Sequence, residues 1–361
     1  MRLISFAASA KTLLQKTSLQ KSSVSCLFFE KIISRTMSDQ PRWKIYVTRR
    51  LLPEALDLLK EKCDIEIWDH DNVVPRDELL KRIAGKEGML CQLTEKINKE
   101  LLDAAGPSLR VVSSMSVGYD HVELQQLKER NVLLGNTPGV LTDATAELTV
   151  ALLLTTSRRL VEGTHHVKNG TWGSWKATWM CGPGLSGSTV GLVGFGRIGQ
   201  AIGQRLKPFG VKRFLYCGHT PKPEAPMLPA EFVSQDELLQ QSDFVVVCCA
   251  LTPETRGMFN SAVFKKMKKS AVFINTSRGA VVNQEDLVEA LESGTIALAG
   301  LDVTTPEPLP VDHPLLKLTN CVVLPHIGSA TLETRTAMAM LSAENLLTAL
   351  EGKPMPAQVK L

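Results

Sequence analysis

Short apolar runs alternate with amphipathic stretches along most of the chain, beginning at Lys44. Stretches such as PEALDLLKEK, which has a proline near its first turn, predict helices. The apolar runs predict five strands: KIYVT, DIEIWD, GMLCQL, RVVSSMS and VLLGN. Strands that alternate with helices favour a parallel sheet covered on both faces. The pattern therefore predicts a first α/β unit that ends near Gly139.

A long apolar stretch follows over residues 143–161. It predicts one uninterrupted, mostly buried helix, opened by Thr142 and Asp143 as capping residues. The next segment, NGTWGSWKATWMCGPGL, contains three tryptophans among several glycines. Because tryptophan is favoured both in cores and at interfaces, the segment predicts either a local core plug or a surface that meets another chain.

The alternation resumes at Thr189 and predicts six more strands: VGLVGF, RFLYCG, DFVVVCCAL, AVFINTS, ALAGLDV and CVVLPHIG. A last helical stretch, LETRTAMAMLSAENLLTALEG, follows them. The predicted fold class is α/β, with two Rossmann-like or flavodoxin-like domains built on doubly wound parallel sheets. We expect residues 141–329 to form a dinucleotide-binding domain. Residues 38–140 and 330–361 are expected to form a discontinuous substrate domain.

The first 36 residues differ in composition from the rest. They carry six basic side chains against the single acid Glu30, and they are rich in serine. This composition is typical of a mitochondrial transit peptide rather than a secretory signal, which has one continuous apolar core. A disordered tail is the alternative. Met37 follows at once and offers a second start, so we expect a mitochondrial location, a cytoplasmic one, or both.

Charge and cysteine content exclude several classes of protein. The 361-residue chain has a net charge of +4, but beyond residue 36 it carries 35 basic and 36 acidic side chains. No nucleic-acid partner is therefore expected. No apolar run approaches the roughly 20 residues of a membrane helix, so no membrane partner is expected either. The eight cysteines show no CxxC spacing, which favours reduced thiols and no metal site.

Three glycines stand between the first strand of the second series and its helix. Gly194, Gly196 and Gly199 match G-x-G-x-x-G in TVGLVGFGRIGQAI. In this context the first glycine permits a tight turn and the second lets the backbone approach a pyrophosphate. The third lets the helix pack on the strand, and the anion sits at the helix N-terminus. The motif predicts a dinucleotide site rather than a purely structural turn.

The end of the next strand indicates which dinucleotide binds. An NAD site usually has an acid about 20 residues after the glycines, to bind the ribose. Here the strand is followed by His219 and Lys222, with no acid before Glu224. Because two basic side chains can attract a 2′-phosphate, NADP(H) is the preferred cofactor and NAD(H) a possible one. The alternative is that both side chains are merely exposed in a loop.

Three polar side chains follow predicted strands of the same sheet: Arg278, Glu307 and His326. Ligands bind beyond the carboxyl ends of strands in such sheets. Histidine exchanges protons near neutral pH, and a carboxylate on its other ring nitrogen fixes its orientation. A guanidinium binds a carboxylate through paired hydrogen bonds. Together the three predict reduction of a 2-keto acid, although each alone is more typical of a structural role.

These residues lie in motifs that resemble the D-2-hydroxyacid dehydrogenase family. The resemblance extends from Lys44 to Leu361 and rests on MSVGYDH, TAELTVALLL, TVGLVGFGRIGQAI, FINTSRGAVVNQEDLVEAL, AGLDVTTPEPLP and LPHIGSAT. Further segments, including NGTWGSWK and GKPMPAQVKL, are most similar to members that reduce glyoxylate and hydroxypyruvate. The resemblance implies reduction of these acids to glycolate and D-glycerate. It implies His326 as proton donor, Glu307 as its partner and Arg278 as substrate anchor.

The resemblance also implies further site residues and an assembly. The backbone of Val117 and Gly118 is expected to hold the substrate carboxylate, with Leu93 lining the pocket. A homodimer is implied, in which the long helix and the tryptophan-rich segment embrace the partner and Trp175 reaches the partner's site. Further residues expected at the cofactor are Arg197, Ile198, Ala250, Thr276, Asp302 and Gly328.

Two departures and two alternatives accompany this resemblance. NADPH-preferring relatives tend to carry arginine where this chain has His219, so Lys222 is expected to compensate. Formate dehydrogenases carry glutamine in place of Glu307, which argues against formate. The alternatives are an enzyme for another D-2-hydroxy acid, acting in either direction, and a dinucleotide-sensing scaffold like the related corepressors. The intact set of Arg278, Glu307 and His326 argues against the scaffold.

Overall fold

The computed structural model describes residues 42–222 and 228–361. The predicted transit peptide and Glu224 lie outside the described residues. Within these two ranges, no helix combines the length and the apolar character needed to cross a bilayer. The cysteines found there are free thiols, as the absence of a CxxC spacing predicted.

The first sheet has five strands in the order β2-β1-β3-β4-β5. They are β1 (Trp43–Val47), β2 (Cys63–Ile67), β3 (Gly88–Cys91), β4 (Val111–Ser114) and β5 (Leu133–Gly135). The helices between them are α1 (Pro53–Lys60), α2 (Arg76–Ile83), α3 (Lys99–Ala105) and α4 (Leu124–Glu129). The pairs β1–β3, β3–β4 and β4–β5 are parallel. All five predicted strands are confirmed.

The predicted long helix is interrupted. Helix α5 (Thr142–Ser157) ends before Arg159, whose φ of 52° is left-handed, and α6 (Leu160–Lys168) begins after it. A Cβ on Gly182 would lie 1.9 Å from the Ser157 carbonyl oxygen, so the returning chain packs on this helix end. The prediction of one uninterrupted helix is therefore wrong: the chain turns at the left-handed Arg159, and a segment distant in sequence packs on the end of α5.

The predicted cap of this helix is also wrong. Leu141 occupies the N-cap position without a side-chain hydrogen bond, and Thr142 and Asp143 are already helical. The start of α5 is instead stabilised by burial, since Ala144, Thr145 and the residues on the same face are buried. The prediction that α5 is mostly buried is confirmed.

The second sheet has seven strands, in the order β12-β11-β10-β9-β6-β7-β8. They are β6 (Thr189–Val193), β7 (Arg213–Cys217), β8 (Ala230–Phe232), β9 (Phe244–Val247), β10 (Val272–Asn275), β11 (Leu298–Leu301) and β12 (Cys321–Val323). The prediction of six strands missed β8, a three-residue edge strand that pairs with β7. Its sequence AEF is too short and polar to form an apolar run.

Helices on both faces cover this sheet. They are α7 (Arg197–Leu206), α8 (Gln235–Gln241), α9 (Ser261–Phe264) and α10 (Gln284–Glu292), and α5 packs against α7, β10 and β11. Strand β6 lies between β9 and β7. The chain therefore reverses its direction of travel across the sheet at the carboxyl ends of β6 and β9, where open α/β sheets bind ligands.

The last helix returns to the first sheet. Helix α11 (Leu332–Leu350) packs against α1, β3, β4 and β5. Beyond it, the Val359 N–H donates to the Leu134 carbonyl at 2.8 Å, and Gln358 pairs with Gly135 at the β5 edge. The C-terminal segment thus packs against, and hydrogen bonds to, a sheet whose strands all come from the first part of the described chain.

Candidate functional site

The three glycines between β6 and α7 each meet a different spatial requirement. Gly194 has a φ of 95°, which side-chain-bearing residues rarely adopt. A Cβ on Gly199 would lie 2.5 Å from the Gly194 carbonyl oxygen, whereas a Cβ on Gly196 would meet nothing within 4 Å. The turn is therefore tight and closely packed, and it is open at Gly196. This arrangement fits a pyrophosphate at the helix N-terminus.

The predicted cofactor-site residues follow the carboxyl ends of the same sheet. Arg197 and Ile198 begin α7, whose first N–H groups have no partner inside the helix. Ala250 follows β9, and Thr276 comes directly after β10, with its hydroxyl 2.9 Å from that of Thr149. The structure thus brings these residues to the sheet edge that carries the glycine turn.

His219 and Lys222 are exposed in the segment after β7. The Lys222 N–H donates to the Tyr216 hydroxyl at 2.8 Å. The buried Tyr216 ring stacks on Phe195, with ring centroids 4.2 Å apart. This aromatic support connects the basic segment to the residue that follows Gly194, a connection that sequence analysis missed.

An acid also approaches this segment from the loop after β9. Hydrogen bonding to Thr252 lowers the pKa of Glu254, and the charge of His219 contributes to the same shift. Because Glu254 lies 35 positions beyond His219 in the sequence, the spacing rule for NAD sites did not detect it.

His326 and Glu307 form a close pair. His326 Nδ1 lies 2.8 Å from Glu307 Oε2, and their side chains are 27% and 31% exposed. Glu307 Oε1 accepts from the Thr304 N–H at 3.0 Å. Burial alone would raise the pKa of Glu307, but His326, the Thr304 N–H and Arg278 together lower it below its usual value. The carboxylate is therefore anionic near neutral pH and fixed at both oxygens.

Asp302 holds the loop that carries His326. This carboxylate is only 1% exposed, and it accepts the N–H groups of Ile327 and Gly328, both at 2.8 Å. Burial raises the pKa of Asp302, whereas these two hydrogen bonds oppose the shift. The family resemblance implied a place for Asp302 at the cofactor, but the sequence did not indicate this support of the loop.

Arg278 reaches across to the loop after β4. Its Nε donates to Asp120 Oδ1 at 2.9 Å, and Nη1 donates to the Ser277 carbonyl at 2.9 Å. A Cβ on Gly118 would lie 2.1 Å from Arg278 Nη2, so the guanidinium rests against the predicted carboxylate-binding loop. Asp120 lies inside MSVGYDH but was not singled out from the sequence.

The loop at Val117 and Gly118 is held from behind. Asn136 Nδ2 donates to the Val117 carbonyl at 2.9 Å, and Ser116 Oγ donates to the Gly118 carbonyl at 2.6 Å. These two hydrogen bonds fix the backbone of the loop. The N–H groups of Val117 and Gly118 are the donors that this loop can offer to an anion. Leu93, half-buried just beyond β3, also lies past the carboxyl edge of the first sheet.

The tryptophan-rich segment lies on the surface of the chain. Trp175 is 85% exposed and Trp172 is 63% exposed. Three apolar side chains of α6 are also more than half exposed: Leu160, Val161 and Val167. The prediction of a local core plug is therefore wrong for these two rings. The alternative, a surface that meets another chain, remains a prediction, as does a role for Trp175 at a site.

The geometry defines the class of protein as a dinucleotide-dependent oxidoreductase that acts on a carbonyl or alcohol. An oriented imidazole can transfer a proton, and a guanidinium can bind a carboxylate. Both groups lie at the carboxyl edge of the second sheet, where the glycine turn also lies. The family model for the D-isomer specific 2-hydroxyacid dehydrogenase NAD binding domain matches residues 150–328. The chain belongs to the D-2-hydroxyacid dehydrogenase family.

Named relatives match over most of the chain. A human glyoxylate reductase/hydroxypyruvate reductase is 58% identical over 321 residues, which cover 88% of this chain and 98% of the relative. A glyoxylate reductase of Thermofilum pendens is 46% identical, covering 88% and 94%. The crystal structure of a Thermus thermophilus protein matches with a TM-score of 0.82 and 46% identity, covering 88% and 100%.

One solved relative was crystallised with ligands. It is an NADPH-dependent glyoxylate/hydroxypyruvate reductase from Sinorhizobium meliloti, in complex with NADP and malonate. Its TM-score is 0.77 at 33% identity, covering 88% of this chain and 97% of that one. The predicted family and fold class are confirmed by these similarities.

Proposed function

We propose that this chain is an NAD(P)H-dependent reductase that converts glyoxylate to glycolate and hydroxypyruvate to D-glycerate. The observation that carries the proposal is the 2.8 Å pair of His326 and Glu307, at the same sheet edge as the glycine turn. The similarity to named reductases of these two acids supports the choice of substrates.

The glycine turn and the first turn of α7 would hold a nicotinamide cofactor, which would supply the hydride that reduces the keto carbon. In our proposal the N–H groups of Val117 and Gly118 and the Arg278 fork bind the substrate carboxylate, and Leu93 lines the pocket. His326 Nδ1 donates to Glu307, which leaves Nε2 to deliver a proton to the keto oxygen. The anionic Glu307 stabilises the imidazolium before transfer, and Asp302 keeps the loop in place.

We further propose that NADP(H) is preferred over NAD(H). His219 and Lys222 supply positive charge after β7, where no acid lies between residues 218 and 222. Both side chains are exposed, where solvent screens their charge, so a moderate preference is expected rather than exclusion of NADH. Gly194, Gly196 and Gly199, with the first turn of α7, hold the pyrophosphate that both cofactors share.

The assembly, domains and location are parts of the same proposal. Apolar residues of α6 together with Trp172 and Trp175 form an exposed surface that suits a homodimer. The packing of α11 on the first sheet supports a substrate domain of residues 38–140 and 330–361 around a dinucleotide-binding domain of residues 141–329. Residues 1–36 direct the chain to mitochondria, and a start at Met37 gives a cytoplasmic form. Sedimentation and imaging of tagged chains test these points.

The experiment that tests the function is a set of initial rates of cofactor oxidation. Glyoxylate and hydroxypyruvate are each supplied with NADPH and, separately, with NADH. Faster turnover with NADPH supports the full proposal, whereas turnover with NADH alone keeps the reductase and overturns the cofactor preference. Cofactor binding without turnover of either acid contradicts the proposed substrates, and absence of turnover across a panel of 2-keto acids favours a dinucleotide-sensing scaffold.

A further inference from the structure

We propose that Asp120 is a positioning residue that aims the Arg278 guanidinium at the substrate carboxylate. The inference rests on the proposed function, because it concerns the substrate of that same site. Asp120 lies beyond β4 of the first sheet, and Arg278 lies beyond β10 of the second. The two are 158 positions apart in the sequence.

The hydrogen bonds of Arg278 divide its guanidinium into two parts. Nε is bonded to Asp120 and Nη1 to the Ser277 carbonyl, each at 2.9 Å. Nη2 is the atom that packs against Gly118. Asp120 and the Ser277 carbonyl thus hold Nε and one N–H of Nη1. Nη2 faces the loop whose N–H groups are expected to bind the same carboxylate, and the second N–H of Nη1 lies on the same Nη1–Nη2 edge.

Partial burial makes this pair more than a surface ion pair. The Arg278 side chain is 22% exposed and that of Asp120 26% exposed. A charge-assisted hydrogen bond at 2.9 Å in such a place restricts the rotation of a long side chain, which otherwise has many rotamers. Without Asp120, the guanidinium would lose the contact that ties it to the substrate loop.

The Asp120 side of the pair is itself rigidly held. His121 Nε2 lies 3.1 Å from Ser114 Oγ, which in turn lies 2.8 Å from Ser116 Oγ. Ser116 Oγ continues the chain of hydrogen bonds to the Gly118 carbonyl. Asp120 is therefore attached to the same braced loop as the predicted carboxylate site, so it can transfer the position of that loop to Arg278.

The negative charge of Asp120 also has a cost for substrate binding. It offsets the charge of Arg278 beside a site that must attract an anion. Asp120 thus orients the Arg278 guanidinium but weakens its attraction for the substrate carboxylate. This effect distinguishes Asp120 from a residue that only attracts the substrate. Removing the charge while keeping the hydrogen-bond acceptor should therefore be tolerated better than removing the whole side chain.

The test is a double-mutant cycle between Asp120→Ala and Arg278→Lys, measured with glyoxylate and NADPH. We expect Asp120→Ala to lower kcat/KM by about 10- to 100-fold, since misplacement of a substrate-positioning group costs up to this much. In the Arg278→Lys background the same change should cost much less, because its effect acts through the Arg278 fork. Asp120→Asn should retain most of the kcat/KM, and the Kd for NADPH should stay unchanged throughout.

The chain offers a matched control. Asp69 accepts from Arg50 Nε at 2.9 Å, the same atoms and distance as in the proposed pair, but far more exposed. Asp69→Ala should leave kcat/KM unchanged. Asp120→Ser, which keeps a small polar side chain but is too short to reach Arg278 Nε, replaces the alanine variant if that protein unfolds.

The outcomes separate this inference from the proposed function. Absence of keto-acid turnover by the wild-type chain overturns both. An active wild type with an unchanged Asp120→Ala variant overturns the positioning role alone. Full additivity with Arg278→Lys, or an Asn variant as impaired as the Ala variant, also overturns it, because a general structural defect would give these results.

Discussion

Some side chains in this protein form hydrogen bonds to another side chain and to a backbone group at the same time. Glu307 uses one carboxylate oxygen for the Thr304 N–H and the other for His326. Glu307 therefore combines the two roles considered from the sequence, a structural role and that of a partner for a histidine. A side chain fixed at one end by the backbone presents its other end in a defined place, which is what an oriented proton donor requires.

Replacing His326 tests this arrangement directly. His326→Ala is expected to lower kcat for glyoxylate by about 100-fold or more, because general acid catalysis contributes roughly 10²–10⁴-fold. The Kd for NADPH, measured by fluorescence titration, should change little, since the glycine turn is untouched. An unaltered kcat would show that the proton comes from elsewhere.

Which site residues could be found from the sequence depends on how local their signal is. Arg278, Glu307 and His326 each follow an apolar strand within a few positions, so a rule about strand ends found them. The Asp120 contact with Arg278 spans 158 positions, and no local pattern records it. Asp302 was expected at the cofactor only from the family resemblance, and neither the resemblance nor the sequence indicated its hydrogen bonds to the His326 loop.

At the scale of elements, the short loops after the strands determine which groups lie at the carboxyl edge of the sheet. The turn between β6 and α7 combines one open glycine with two crowded ones. Alternation of apolar runs predicted eleven of the twelve strands, because buried parallel strands are apolar on both faces. It could not predict β8, which is short and polar, or the break after α5, where a segment distant in sequence packs on the helix end.

The open glycine and a crowded one should respond differently to a side chain. Gly196→Val is expected to weaken NADPH binding while leaving the melting temperature of the cofactor-free protein nearly unchanged. Among the residues that the structure describes, nothing beyond the adjoining stretch of chain lies within 4 Å of the new Cβ. Gly199→Val should lower that melting temperature, because its Cβ would meet the Gly194 carbonyl oxygen at 2.5 Å. Equal losses of stability would contradict the assignment of Gly196 to the pyrophosphate.

The segment between β7 and β8 gives a second test at this scale. Tyr216→Phe removes only the hydroxyl that binds the Lys222 N–H, so the KM for NADPH should rise while that for NADH changes little. Tyr46→Phe is the matched control, because the Tyr46 hydroxyl is buried without a hydrogen-bond partner among the residues that the structure describes. If Lys222→Ala alters NADPH use and Tyr216→Phe does not, then the tyrosine does not position this segment.

The molecule contains a partly buried histidine, His121, that connects its stability to pH. Burial lowers the pKa of His121 to about 4, with a further lowering by Arg278, while Asp120 and Glu95 oppose the shift. Its Nδ1 is buried without a partner in the described part of the chain, so protonation would place a charged donor where no acceptor lies. The folded protein therefore keeps this imidazole neutral under mildly acidic conditions.

This predicts a loss of stability in acid with a defined window. Below pH 6.5 the unfolded chain binds a proton at His121, but the folded chain does not until about pH 4. The free energy of unfolding should thus fall by up to the order of 3 kcal/mol across this window, given about 1.36 kcal/mol per pKa unit. Urea titrations from about pH 7 to 4.5 should show a shallower decline for His121→Gln; parallel declines would contradict the prediction.

The return of α11 to the first sheet has a consequence for synthesis on the ribosome. All five strands of that sheet precede residue 136, but the helix that packs on β3, β4 and β5 ends at Leu350. At about 5–20 residues per second, translation takes roughly 10–40 s to bridge this distance. The strands of the second sheet, by contrast, are contiguous and complete by Val323. The sheet that is synthesised first is therefore the last to be covered by its helices. During this time, chaperones can bind the face of the sheet that α11 later covers.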